Sequence, residues 1–202
     1  MAKLKGKEDF LDFLYCSSIL EDRTSVLYTS LAEKTRLPLV KALLLHIAYD
    51  SGKHSAILEG IAKSIGVWKT KTDKDCERRF GESWRTIRDL SEDLAQRKRI
   101  PNEDLPSFVK KLERLESTSG EEYHMLVQLK TLQFMTKEIR ELYNVDLEDL
   151  KDIFEEMIKD EERHTELLAT IIKIFTLPEQ KSTENAPVVR YQNPDSWVSP
   201  LG

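Results

Sequence analysis

Turn-forming residues are scarce in this chain, with seven glycines and seven prolines in 202 residues. The two types together usually make up ~12% of a soluble protein. A β-sandwich or barrel needs a turn every ~8–12 residues, so neither suits this composition. Long apolar runs are missing too: nothing approaches the ~18 residues of a membrane span. The opening Met1-Ala-Lys-Leu-Lys does not read as a secretory signal. Basic residues are not in excess, since the net charge is -5. The short run Arg97-Lys98-Arg99 is balanced by neighbouring acids. Nucleic acid and membrane surfaces are therefore not expected partners. Cysteine is limited to Cys16 and Cys76, far apart and in no Cys-x-x-Cys pair. They read as inert small side chains in a reducing cytoplasm, with no disulfide framework.

What is present is charge, 33% of residues, interleaved with aliphatic side chains at helical spacing. Prolines fall at 38, 101, 106, 178, 187, 194 and 200, leaving two long stretches without any. Helix interiors exclude proline, so those stretches are where helices can run. The apolar stripes predict helices over about 8–34, 39–65, 105–143 and 147–176. Inside a long crossover, Phe80, Trp84, Ile87, Leu90 and Leu94 predict an extra amphipathic helix over about 74–97. The expected fold is all-α: a four-helix bundle of two hairpins joined by one long crossover, over residues 1–177. Residues 178–202 read as a polar linker and an extended tail carrying Trp197. Such a tail either stays unfolded or docks on a neighbouring subunit or another protein. A homodimer is the expected assembly.

The seams contain residues that do not belong in a simple core. Glu21, Glu122 and Glu161 lie in otherwise apolar stripes, and His54 and His164 join them. An ionised carboxylate costs several kcal/mol to bury without compensation. At ~1.5 Å of rise per residue, Glu21 and His54 lie roughly 20 and 22 Å from the turn between their helices. Glu122 and His164 lie roughly 31 and 26 Å from theirs, so each pair shares a level within the uncertainty of the helix ends. Glu161 and His164, three residues apart, share one helix face. Converging carboxylates and imidazoles suit iron or manganese, with zinc as a further option.

At these residues the chain resembles the ferritin-like di-iron carboxylate proteins. That family uses a Glu from each of two helices and a Glu-x-x-His from each of the other two. Glu161-Glu162-Arg163-His164 matches the second Glu-x-x-His, in a helix of rubrerythrin-like pattern. Glu21 followed by Tyr28 resembles the Glu-x6-Tyr of the family's first helix, where the tyrosine lies near the metals. Glu122 is the third-helix choice, with Glu121 as its alternative. The likeness spans about 8–65 and 105–176, not the inserted helix or the tail. It implies an iron centre on Glu21, His54, Glu122, Glu161 and His164, with Tyr28 beside it, in an oxidoreductase using oxygen or peroxide. One position departs from the pattern: the first motif reads Ser51-Gly52-Lys53-His54, with serine in place of the bridging glutamate. Gly52 in mid-helix is a candidate distortion that would let Asp50 reach in as a substitute. The competing expectation is a bundle that has lost its metal and serves as a binding or scaffold module. Metal content separates the two.

Overall fold

The structure is a computed structural model, and it describes residues 7–65, 71–128 and 147–176. Side chains are described for 8–64, 71–119 and 151–175. Among the described residues every regular element is helical, in the order α1 (Lys7–Lys34), α2 (Pro38–Ile65), α3 (Asp73–Phe80), α4 (Glu82–Gln96), α5 (Leu105–Gln128) and α6 (Leu147–Thr176). The tail 178–202, with Trp197, lies outside them.

The turn between α1 and α2 is short because Pro38 opens α2 at a position whose N–H would have no intrahelical partner. α1 packs chiefly on α2, and α5 chiefly on α6. The two hairpins meet through α2 and α6. Small residues let α1 and α2 approach closely. Ser55 Oγ donates to the Ser18 carbonyl at 2.8 Å, and Ser25 Oγ to the Ala48 carbonyl at 2.7 Å. Gly52 lies opposite Ser25, whose Oγ would stand 3.4 Å from a Cβ placed there. A Cβ there would make ordinary van der Waals contact, and α2 runs unbroken through Gly52. The expected distortion at Gly52 is not found.

The crossover holds two helices rather than the single one expected. Thr72 caps α3 by a capping box with Asp75. Gly81, at φ +51°, then breaks the path before α4. A left-handed backbone at this point favours glycine, and one residue type is enough to divide the predicted helix. Across the break Phe80, Trp84, Ile87, Leu90 and Leu94 still face inward and are buried. Polar contacts fasten the crossover to α1: Arg23 Nη2 donates to both Asp73 carboxylate oxygens at 2.9 and 3.0 Å and stacks 4.5 Å over the Trp84 ring. Lys71 pairs with Asp12, and Arg79 with Asp9. At the far end the Ile100 N–H donates to the Lys34 carbonyl at 3.2 Å.

Cys16 and Cys76 form a disulfide across a sequence separation of 60 residues, joining α1 to α3. This corrects the expectation that they are inert, and the inference of a reducing compartment drawn from them falls with it. Their distance along the chain hid the pairing, which depends on how the crossover folds back onto α1. Closing a loop of this size restricts the unfolded chain and contributes about 2–4 kcal/mol. Cys76→Ser, or a reductant, is therefore expected to lower the urea midpoint of the oxidised protein. Equal midpoints would show that the bond does not stabilise the fold. Among the described residues no helix is long and apolar enough to cross a membrane.

Candidate metal centre

Each long helix delivers acids or imidazoles to one buried level. α1 contributes Glu21, α2 His54, α5 Glu116, and α6 both Glu161 and His164, all 5% exposed or less. Their ligand-type atoms form two groups, Glu21–His54–Glu161 and Glu116–Glu161–His164, each with its atoms within 4.8 Å of one another. Glu161 belongs to both. Its Oε1 lies 3.0 Å from His54 Nδ1, and its Oε2 lies 3.7 Å from His164 Nδ1. Glu116 Oε2 lies 3.0 Å from the same His164 nitrogen, and Glu21 Oε2 lies 3.9 Å from His54 Nδ1. Tyr28, fully buried on α1, donates its hydroxyl to Glu116 Oε1 at 2.5 Å.

The opposite imidazole nitrogens face a second pair of carboxylates. His54 Nε2 lies 3.2 Å from Asp160 Oδ2, and His164 Nε2 lies 3.3 Å from Asp50 Oδ2. Each aspartate thus reaches across to the histidine of the other helix. Asp50 does not enter the Glu–His cluster in place of Ser51; it stands behind His164. Lys53 donates to Asp50 at 3.0 Å and to Asp160 at 2.6 Å, and Arg163 pairs with both. Two acids and two bases leave this outer ring neutral. A carboxylate behind each ring fixes its orientation and leaves Nδ1 facing the cluster.

Protonation follows from this packing. Burial opposes charge on His164, but Glu116 and Glu161 outweigh it and push the imidazole up to about 11. Burial works the same way on His54, and Glu161, Glu21 and Asp160 raise it nonetheless. Burial and the Glu161 charge push Glu116 up to about 8. Burial would raise Glu161 as well, yet hydrogen bonds from His164, His54 and Glu116 bring it down to about 2. Burial, then the Glu116 carboxylate, holds the Tyr28 hydroxyl well above its ordinary value, so it stays a donor. The cluster carries its compensating charge as protons on the same atoms that would ligate a cation. Oxygen and nitrogen donors in two triads with a shared carboxylate fit a pair of divalent ions.

The structure brings together Glu21, His54, Glu161 and His164, with Tyr28 alongside. Glu122 and Glu121 lie outside the described side chains. The α5 carboxylate found at His164 is Glu116, which was not assigned from the sequence. It sits at helical spacing from Leu112 and Val109, both buried, so the apolar periodicity did contain it. Asp50 and Asp160 were also missed as orienting groups. Their signal is a repeat: Asp50-Ser51-Gly52-Lys53-His54 and Asp160-Glu161-Glu162-Arg163-His164 share acid, base and imidazole at the same offsets. No protein-family model, curated protein or solved structure matches this chain.

Proposed function

We propose that this chain is a ferritin-like, rubrerythrin-type oxidoreductase built on a di-metal carboxylate centre, with iron as the metal and manganese or zinc as alternatives. The observation that carries the reading is Glu161, which turns one oxygen to each of two Glu–His groups from separate hairpins. Glu21 and His54 would complete one metal's protein ligands, and Glu116 and His164 the other's. Bound iron would supply one-electron steps between its ferrous and ferric states, toward oxygen or peroxide.

The chain's own residues prepare that chemistry. Asp160 and Asp50 hold the two imidazoles in register. Tyr28 keeps a proton on a hydroxyl directed at Glu116. The buried walls exclude bulk water and strengthen each polar contact inside. The chain has no Cys-x-x-Cys pair of rubredoxin type, so an external donor would supply electrons for peroxide reduction.

Anaerobic loading with ferrous iron followed by elemental analysis tests the reading, with His164→Ala beside it. Metal bound in stoichiometric amount and diminished in the variant supports it. No metal in either protein would overturn it and leave the binding-module reading.

A further inference from the structure

The two halves of the centre differ at one position. In the repeated motif of α2 and α6, Asp50 matches Asp160, Lys53 matches Arg163 and His54 matches His164. Each matched aspartate approaches the other helix's histidine, so the match is spatial as well as sequential. The counterpart of the shared Glu161 is Ser51. It is 1% exposed, and its hydroxyl has no hydrogen-bond partner among the described residues. Ser17 and Thr35 are buried without a partner too, but neither lies in the repeated motif. Thr24, Ser64, Thr118, Thr165 and Thr170 all donate to the carbonyl four residues earlier, the ordinary refuge of a helical hydroxyl. Ser51 does not, although it lies one turn before His54 on the face that looks into the bundle.

Charge points the same way. The outer ring of Asp50, Asp160, Lys53 and Arg163 cancels. Inside it stand three carboxylates among the described side chains, Glu21, Glu116 and Glu161. Two divalent cations on this set would leave one positive charge in excess, in a dry site where an uncompensated charge is costly. A second carboxylate at the position of Ser51 would cancel it, and serine has none.

We infer that a small carboxylate from solution, of which formate is the simplest, binds beside Ser51 as a removable counterpart to Glu161. The Ser51 hydroxyl donates to one of its oxygens, and the anion completes the charge balance of the loaded centre. This rests on the di-metal reading above. Size limits the class, because the ligand replaces only the carboxylate end of a glutamate.

The test titrates cobalt(II) into the metal-free full-length chain, in degassed buffer free of carboxylates, with and without millimolar formate. Formate is expected to leave the first cobalt unchanged and tighten the second ~tenfold, a shift of about 1.4 kcal/mol. Ser51→Glu should bind both cobalts with no response to formate, because it carries the carboxylate itself. Ser51→Ala, which keeps the helix, should weaken the formate response ~fivefold through loss of one donor. Two cobalts bound equally with and without formate would overturn the anion site alone and leave the metal centre standing. An undiminished formate response in Ser51→Ala would also overturn it. Absence of bound cobalt under both conditions would overturn the metal centre and this inference together.

Discussion

Glu161→Gln is expected to remove both metals at once, whereas Glu21→Ala removes mainly one. Loading should fall from roughly two ions per chain to near none in the first variant and to roughly one in the second. The contrast follows from the shared position of Glu161, whose two oxygens face His54 and His164. Glu21 enters the His54 group and not the His164 group. The same change should also damage the metal-free protein. Glu161 is 2% exposed and offsets two buried imidazoles, both raised by it. Removing one partner of a buried charge pair costs about 3–5 kcal/mol. Elemental analysis with urea denaturation checks both parts. Equal metal loss from Glu161→Gln and Glu21→Ala would mean that Glu161 is not shared.

Loading at pH 7 is expected to release roughly two to three protons per chain, since ligands must be deprotonated to bind a metal. His164 at about 11 and Glu116 at about 8 hold protons there, and the upward shift of His54 adds toward a third. Apparent affinity should therefore rise with pH, and an indicator dye in weak buffer counts the release directly. Metal uptake with no proton release would contradict the assigned protonation. The metal-free fold carries the same groups with their own signs. The His164 contribution is complete below its ordinary value of 6.5 and is lost as pH rises through about 11. The Glu161 contribution is present above 4.5 and is lost as pH falls through about 2. Glu116 acts against the fold from 4.5 upward, because its buried carboxyl resists ionising until about 8. Denaturation midpoints of the metal-free protein should accordingly fall toward both extremes of pH.

The four long helices were readable because proline and apolar spacing act locally, and α1, α2 and α6 start and stop within a residue or so of the expected places. Glu21, His54, Glu161 and His164 were readable for a related reason: polar groups in an apolar stripe must be compensated. Glu116 was missed because the rise along α5 could be measured only from a turn whose position the sequence leaves loose. An error of six residues there is ~9 Å, enough to select another carboxylate. The disulfide depends on how a crossover docks, a contact between segments that no local pattern encodes. Gly81 was visible as a residue, but its positive φ was not. The reciprocal Asp–His contacts needed the two motifs set side by side, since each aspartate serves the helix on which it does not lie.

One triad, Glu116–Glu161–His164, belongs wholly to the α5–α6 hairpin, while the other takes Glu21 and His54 from α1–α2 and only Glu161 from α6. Parting the hairpins would dismantle the second triad and leave the first intact. The ratio of the two occupancies is then a gauge of how firmly one hairpin sits on the other. An ion held by Glu21, His54 and Glu161 would fasten the bundle like a rivet.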